Sequence, residues 1–286
     1  MQEYYFIVFC ILSAILGACF GSFATVLINR IPKGESIVRG QSHCPKCLSP
    51  IHAKDNIPII SFIILRGKCR KCKTTISPHY IIVELLVTVS WLLCALLSKN
   101  VGYAQSILNM AFIFCLIVVA IIDLENLYIP DRFNLTILAL AIISIFLDNG
   151  VIWWENLLGL LFSLVFFGGT YFLSKLVLKR EGLGFGDVKL TIVCGLFLGF
   201  KSTFVASLIA TVFGAMVLSI ISLAQNKKQK KLENASTQPD NQIEESDCEK
   251  ADKKYKEYPF APFLSFGFIV AVFVGDLLVN FYLGLF

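Results

Sequence analysis

The chain has 286 residues, of which 56% are hydrophobic and only 16% are charged, and its formal net charge is +5. A soluble globular domain normally has about 25% charged residues, so this composition favours a membrane protein over a soluble one. The basic residues lie between long apolar runs, where the positive-inside rule operates, and this distribution argues against nucleic-acid binding.

Apolar runs suited to helices recur along the chain. They lie near residues 4–28, 79–98, 102–122, 133–147, 153–178, 188–200, 202–224 and 260–285. A membrane-spanning helix needs about 20 predominantly apolar residues, and the short run 188–200 is the weakest of the eight. The first run is not interpreted as a cleaved signal peptide, because Met1-Gln2-Glu3 lacks the usual basic leader. The pattern predicts an all-α membrane protein, a bundle of about eight transmembrane helices.

The distribution of basic residues predicts the orientation of this bundle. With eight crossings, every Lys and Arg except Lys99 and Lys201 falls on one side of the membrane. Cytoplasmic loops carry the excess of Lys and Arg, so we expect that side to be cytoplasmic and both termini to lie outside. A change of one in the number of crossings would destroy this segregation, which also supports eight.

The runs divide the chain into five segments. These are a first transmembrane helix (1–28), a cytoplasmic loop with four cysteines (29–77), transmembrane helices two to seven (78–224), a charged cytoplasmic insertion (225–258) and a last transmembrane helix (259–286). The insertion mixes Lys, Glu, Asp, Asn and Gln and cannot bury a core, so we expect it to be disordered. A tolerated insertion is a simpler interpretation than a regulatory tether.

Two Cys-x-x-Cys motifs stand in the first cytoplasmic loop, Cys44-Pro45-Lys46-Cys47 and Cys69-Arg70-Lys71-Cys72. Paired motifs at this separation are typical of a tetrahedral zinc site, and four protein ligands indicate a structural site, since a catalytic zinc keeps one position open. Two disulfides or free thiols are the alternative, which a reducing cytoplasm disfavours. His43 and His52 are possible substitute ligands, but the four cysteines already complete the tetrahedron.

Two aspartates lie at the cytoplasmic ends of predicted spans. Asp123 follows the third apolar run, and Asp187 closes Gly184-Phe185-Gly186-Asp187 at the start of the sixth. The glycines allow a peptide backbone to approach closely. Paired carboxylates can divide acid and base roles and activate water for hydrolysis of a peptide bond without a metal. Asp123 and Asp187 are therefore the candidate catalytic pair, although each alone could be an interfacial anchor.

The helix poles suggest a division of roles within this pair. Asp187 begins a helix and lies at a positive pole, whereas Asp123 ends one and lies at a negative pole. We therefore expect Asp187 to be the ionised base and Asp123 to hold the shared proton. Three nearby acidic residues are more simply solvated loop charges, namely Glu125, Asp131 and Glu181.

Glu84 lies inside the second predicted span. A lone carboxylate within the membrane suggests a polar partner or a ligand contact. Glu84 is therefore a tentative cofactor-binding residue, although its spacing from the other motifs assigns it no definite role.

Taken in order, these motifs resemble the type IV prepilin peptidases, which are aspartyl membrane proteases with a Gly-x-Gly-Asp motif. The resemblance runs through Gly21-Ser22-Phe23, Asn29-Arg30-Ile31-Pro32, both cysteine motifs, Asn56-Ile57-Pro58, Ser61, Ile76-Ser77-Pro78-His79-Tyr80, Glu84-Leu85, Asp123, Ile129-Pro130-Asp131, Gly184 to Lys189 and Pro259 to Gly267. It covers nearly the whole chain except the charged insertion, which departs from the compact pattern of the family.

The resemblance implies an eight-span bundle in the bacterial plasma membrane with its active site facing the cytoplasm. Asp123 and Asp187 match the family's catalytic aspartates. Members remove a short basic leader from prepilins or pseudopilins of type IV pili and secretion systems. Many then methylate the new N-terminus with S-adenosylmethionine, an activity that accompanies the cysteine loop.

Two other classes of protein compete with this interpretation. A presenilin-like intramembrane protease shares the aspartate pair and the preceding glycine, but it does not predict the cysteine loop. A transporter would use Asp123, Asp187 and Glu84 as an ion path, but such a path favours carboxylates deep within several spans, and both aspartates lie at span ends.

Overall fold

A computed structural model describes residues 1–38, 42–147, 153–177, 183–235 and 259–283. The described residues form helices, joined by loops that carry two isolated β-bridges. The α-helices are α1 (Gln2–Arg30), α2 (Ile60–Ile64), α3 (Pro78–Leu96), α4 (Ser98–Val101), α5 (Tyr103–Asn126), α6 (Asp131–Phe146), α7 (Trp153–Ser163), α8 (Gly169–Val177), α9 (Phe185–Ala235) and α10 (Ala261–Leu283). A π-helical turn, Leu164–Gly168, joins α7 to α8.

Five helical stretches of the described chain are long and apolar enough to cross a membrane: Gln2–Arg30, Pro78–Leu96, Tyr103–Asn126, Trp153–Val177 and Phe185–Leu223. Ala261–Gly275 is a shorter apolar helix, and α6 has only 16 residues. The all-helical membrane architecture that the sequence predicts is therefore confirmed.

Helix α5 occupies the centre of the bundle. Its most apolar window is 67% buried, against 17–33% for the other four candidate spans. It contacts α1, α3, α6 and α10, and Phe112 stacks on Phe197 of α9 with ring centroids 4.2 Å apart. A side chain at the end of α5 is consequently held among several helices.

Small residues bring neighbouring helices into backbone contact. A Cβ added at Gly21 of α1 would lie 2.7 Å from the Cα of Glu84 in α3. A Cβ at Gly195 of α9 would overlap the Ser163 hydroxyl and lie 2.6 Å from the carbonyl oxygen of Gly159 in α7. Lipid supplies no hydrophobic drive between helices, so close van der Waals packing at small residues is the usual basis of their association.

Helix α9 is broken at Gly199. This glycine has φ 77° and ψ 172°, outside the helical region, and divides α9 into two limbs. A straight helix of 51 residues would be about 77 Å long, more than twice the hydrocarbon thickness of a bilayer. Only glycine adopts such a positive φ without steric cost.

The second limb of α9 runs antiparallel to α10. Gly214 lies against Phe260 and Phe263 at the start of α10, whereas Ser202 lies against Gly275, more than three helical turns further along it. Since α9 also begins beside the start of α10, the chain reverses direction at Gly199. The sequence predicted two runs here, 188–200 and 202–224, and the reversal lies at their boundary.

Helix α9 also continues into the segment expected to be disordered. It extends to Ala235, so residues 225–235 are helical. The stretch has four Lys and two Gln, with one Leu, one Glu and one Ala, all good helix formers. Extending an existing helix also needs no new nucleus. Residues 236–258 of the charged insertion lie outside the described residues.

Candidate active site and metal centre

Asp123 and Asp187 meet on one side of the bundle. Asp123 lies in the last turn of α5 and is 6% exposed, and Asp187 lies in the first turn of α9 and is 7% exposed. Leu127, in the left-handed conformation, ends α5 by donating its N–H to the Asp123 carbonyl. The two carboxyl groups lie close enough for their charges to interact.

The glycine turn before Asp187 is shaped around its carboxylate. A Cβ on Gly184 would lie 2.8 Å from Asp187 Oδ2, so the absent side chain leaves the space that this oxygen occupies. A Cβ on Gly186 would lie 3.3 Å from the Ile129 side chain, so the turn packs against the segment that follows α5. Gly184 thus leaves room for the Asp187 carboxylate, and Gly186 lets this turn pack against the segment that follows the helix of Asp123.

The start of α10 also reaches Asp123. The Ala261 N–H donates a hydrogen bond to Asp123 Oδ2 at 3.1 Å, and both groups are buried. Asp123 therefore ends one helix but lies at the positive pole of another. The assignment of the shared proton to Asp123 considered only the pole of α5, and it stays a prediction.

Two buried polar side chains, one of the aspartate pair and one in α6, have unused hydrogen-bonding capacity. Asp187 Oδ1 and both amide atoms of Asn134, one turn into α6, have no hydrogen-bond partner among the described residues. Leaving such a group unpaired in an apolar interior costs about 1–3 kcal/mol. Asp187 Oδ1 is thus suited to bind water or a polar substrate atom.

The nearby acidic residues differ from this pair. Glu125 lies 3.5 Å from His79 and Asp131 lies 3.0 Å from Lys189, and both carboxylates are well exposed. Their exposure agrees with the interpretation as solvated charges. Glu181 lies outside the described residues.

The cysteine loop contains two copies of one turn, offset by 25 residues. In each, the first cysteine N–H bonds to a carbonyl five residues on, from Cys44 to Ser49 and from Cys69 to Thr74. Each copy also has a left-handed residue directly after its second cysteine, Leu48 and Lys73. The repetition presents both cysteine pairs in the same geometry.

The four thiols converge as the sequence predicts. The sulfur atoms of Cys44, Cys47, Cys69 and Cys72 all lie within 4.8 Å of one another, and the group includes neither His43 nor His52. The Cys44 and Cys72 sulfurs are 3.8 Å apart, which equals the edge of a tetrahedron with metal–sulfur bonds of about 2.3 Å. The site can therefore hold a metal ion.

Hydrogen bonds favour the thiolate form that binds metal. The Thr74 side chain and N–H lower the pKa of Cys72 to about 6. The Ser49 side chain and N–H likewise lower the pKa of Cys47. These contacts repeat the 25-residue offset and stabilise the thiolate form of the second cysteine of each motif.

Glu84 anchors the cysteine loop to the bundle. Its Oε2 accepts the Ile59 N–H at 2.7 Å, and the Ser22 side chain lies within hydrogen-bonding reach. Ile59 has φ 61°, a strained conformation for a β-branched residue. This contact does not test whether Glu84 binds a cofactor, so that role stays a prediction.

Sequence reasoning missed two parts of this arrangement, the Ala261 N–H and the strained Ile59. A backbone donor has no signature of its own, although the prolines Pro259 and Pro262 do indicate a helix start there. The positive φ of Ile59 has no sequence signal, because isoleucine normally avoids that region.

Two family models match most of the chain. Residues 15–98 match the bacterial peptidase A24 N-terminal domain, and residues 110–219 match the type IV leader peptidase family. Each aspartate and both cysteine motifs lie within these ranges. No solved structure matches the chain significantly.

Several curated proteins are similar over most of their length. The type 4 prepilin-like proteins leader peptide-processing enzyme of Escherichia coli is 30% identical over 74% of this chain and 85% of that protein. The prepilin leader peptidase/N-methyltransferase of Myxococcus xanthus is 30% identical over 84% of this chain and 71% of its own, and that of Neisseria gonorrhoeae is 29% identical over 76% and 83%. The chain therefore belongs to the type IV leader peptidase family and is an enzyme.

Proposed function

We propose that this protein is a membrane aspartyl endopeptidase that removes the short basic leader from type IV prepilins or pseudopilins. The observation that carries the proposal is the buried pair Asp123 and Asp187, which the glycine turn and the start of α10 hold together. The names of the relatives supply the substrate class, since they describe prepilin leader peptidases.

In the proposed reaction, one aspartate of the pair is ionised and the other is protonated, because repulsion between two adjacent negative charges disfavours ionisation of both. The ionised carboxylate takes a proton from water, whose oxygen attacks the carbonyl carbon of the scissile bond. The protonated carboxyl donates a hydrogen bond to the carbonyl oxygen, and a proton then passes to the leaving amine as the C–N bond breaks. Asp187 Oδ1 has a free acceptor position for this water or carbonyl group.

A second reaction is proposed for the new N-terminus. The methyl group of S-adenosylmethionine passes from its sulfonium to the freed amine, which loses a proton, and the relatives' names support this transfer. Cys44, Cys47, Cys69 and Cys72 would hold a structural zinc ion that orders the loop. Glu84 stays a candidate contact for the methyl donor, but its bond to Ile59 supports an anchoring role at least as well.

We also propose eight crossings of the bacterial plasma membrane, with the active site facing the cytoplasm and both termini outside. The crossings would be α1, α3, α5, α6, α7 with α8, the two limbs of α9, and α10. The reversal at Gly199 supports the two limbs as separate crossings. The segregation of Lys and Arg supports the orientation.

Mass spectrometry of a prepilin incubated with the purified protein tests the function. With S-adenosylmethionine present, we expect a product that lacks the leader and carries one added methyl group. Without the methyl donor, the leader should still be removed. An intact prepilin under conditions where a known leader peptidase cleaves it would reject the proposal.

A further inference from the structure

An exposed apolar face stands out on the cysteine loop. Ile57, Ile60, Ile63 and Ile64 are 46–69% exposed, and the last three lie on or beside one stripe of α2 at helical spacing. We call these four residues the isoleucine face. They lie in the loop between the two cysteine motifs.

The opposite side of α2 packs against other residues of the cysteine loop. Ser61 is buried and donates its hydroxyl to the Lys54 carbonyl at 3.4 Å. The ring of Phe62 lies beneath Gly67, where a Cβ would be 3.0 Å away. These contacts orient α2 and turn the isoleucine face outward.

The hydrogen bond to Glu84 attaches this segment to a candidate membrane span. Ile59 immediately precedes α2, and its N–H bonds to Glu84, six residues into α3 and about 9 Å along that helix. The exposed pair of His79 and Glu125 lies at the polar end of α3 and α5. The residue before α2 is therefore bonded to α3 about 9 Å further from this polar end.

The helix to which this segment is bonded has an exposed apolar surface of its own. Ile82, Leu85, Leu86 and Val89 of α3 flank Glu84 and are 42–52% exposed within a candidate span. On the other side, exposed basic residues follow α2 directly, among them Arg66 and Lys68. An apolar face bordered by Lys and Arg is the pattern of segments that lie in the membrane interface beside anionic headgroups.

We infer that the isoleucine face lies in the cytoplasmic leaflet, at the boundary between anionic headgroups and acyl chains. The cysteine loop is then fixed at both levels: Glu84 holds its backbone to the bundle, and the isoleucines hold it in lipid. Such an arrangement sets the height of the metal centre over the membrane. It does not depend on the proposed peptidase reaction.

Fluorescence of a single tryptophan tests this inference. The full-length chain, with Trp91, Trp153 and Trp154 replaced by Phe, receives either Ile63→Trp or Leu48→Trp. Leu48 is the matched control, because it is an apolar residue, 71% exposed, in the first cysteine turn of the same loop. Each variant is placed in phosphatidylethanolamine/phosphatidylglycerol nanodiscs whose lipids are brominated, or not, in the upper acyl chain. Elution volume and metal content equal to those of the parent show that the loop is folded.

We expect bromination to remove about half of the emission of the Ile63→Trp protein and little of that of the Leu48→Trp protein, as insertion by about 5–10 Å implies. Aqueous iodide should quench in the reverse order. Equal iodide quenching of both variants with no effect of bromine would overturn the inference. The inference would also be overturned if bromination left the Ile63→Trp emission unchanged while another treatment changed it. A change on addition of a prepilin would show that the face binds substrate. A change on dilution into more nanodiscs would show that it binds a second copy of the chain.

Discussion

At Gly184 the chain leaves room for a carboxylate oxygen. The missing Cβ would lie 2.8 Å from Asp187 Oδ2, closer than carbon and oxygen atoms approach without a bond. Ala261 makes a comparable contribution through its backbone, since its N–H is the donor to Asp123. Both residues act on the aspartates without any reactive side chain of their own.

Gly184→Ala should impair catalysis more than stability. Its backbone is outside the positive-φ region, so alanine fits the chain, but the added methyl must displace the Asp187 carboxylate. We expect kcat/KM for leader cleavage to fall by at least about tenfold, equivalent to about 1.4 kcal/mol. The control is Gly169→Ala, where no atom lies within 4 Å of the new Cβ. Equal kcat/KM values for the two variants would contradict this role of Gly184.

Ala261→Pro should weaken catalysis by removing the donor to Asp123. Proline suits the first position of a helix, so α10 should still form. A hydrogen bond to a charged group contributes about 1.5–3 kcal/mol, so we expect kcat to fall about 10- to 100-fold with KM little changed. Ala261→Gly keeps the N–H and should stay near the parent value. A proline variant as active as the glycine variant would show that this donor is dispensable.

The sequence identified the two aspartates as a candidate pair but did not predict the groups that contact them. Asp123 and Asp187 are recognisable because each ends or begins an apolar run beside Gly or Pro. The donor at Ala261 lies 138 residues from Asp123 along the chain, and only the packing of α10 on α5 brings them together. The division of acid and base roles considered one helix at a time and did not include this donor, so it stays a prediction.

Among the elements, the cysteine loop is also held by side-chain contacts outside its metal site. Arg70, between the two cysteines of the second motif, donates two hydrogen bonds to Asp55 at 2.8 and 2.6 Å. These bonds hold the short helical turn Ala53–Asp55 against the second cysteine turn. Together with Glu84 and Ile59, they restrain the long segment between the two motifs.

Asp55→Asn should loosen the metal site. The amide cannot form the charged two-bond contact to Arg70, so we expect zinc to pass to a chelator roughly two to five times faster. The bonds from Arg70 hold the pKa of Asp55 below its ordinary value, so the contact persists above about pH 4 and is lost only as pH falls further. The difference in rate should therefore be constant from about pH 6 to 8. A difference that disappears within this range would contradict the assignment.

Apolar periodicity predicted the positions of the main helices, because spans must bury or shield every backbone polar group. The run 102–122 became α5, Tyr103–Asn126, and the run 79–98 became α3, Pro78–Leu96. It did not predict α2, since five residues are too few for a periodic signal. It also did not predict the helix up to Ala235, because low hydrophobicity was taken as disorder while the helix propensity of Lys, Gln and Glu was not weighed.

At the scale of the whole molecule, the distribution of charge and the reversal at Gly199 both support the proposed topology. The reversal returns the second limb of α9 to the side where α10 starts and Asp123 lies. Lys201, just beyond the reversal, and Lys99, near the end of α3, are the two basic residues that the eight-span arrangement places outside. The same arrangement puts the cysteine loop and both aspartates on the cytoplasmic side.

Alkaline phosphatase fusions test this topology, since the enzyme is active only outside the cytoplasm. Fusions after Asn100 and after Lys201 should be active, and a fusion after Tyr128 should be inactive. Inactivity after Lys201 together with activity after Asn100 would show that the two limbs of α9 do not cross the membrane separately.

The most direct test of the catalytic pair is the rate of leader cleavage by four purified variants. Asp123→Asn and Asp187→Asn remove a group that must exchange a proton, and we expect each to lose at least about 10³-fold in rate. Glu125→Gln and Asp131→Asn change nearby carboxylates that are exposed, and we expect them to stay within about threefold of the parent. Cleavage by either catalytic-pair variant at near the parent rate would contradict the account of this protein as an aspartyl peptidase.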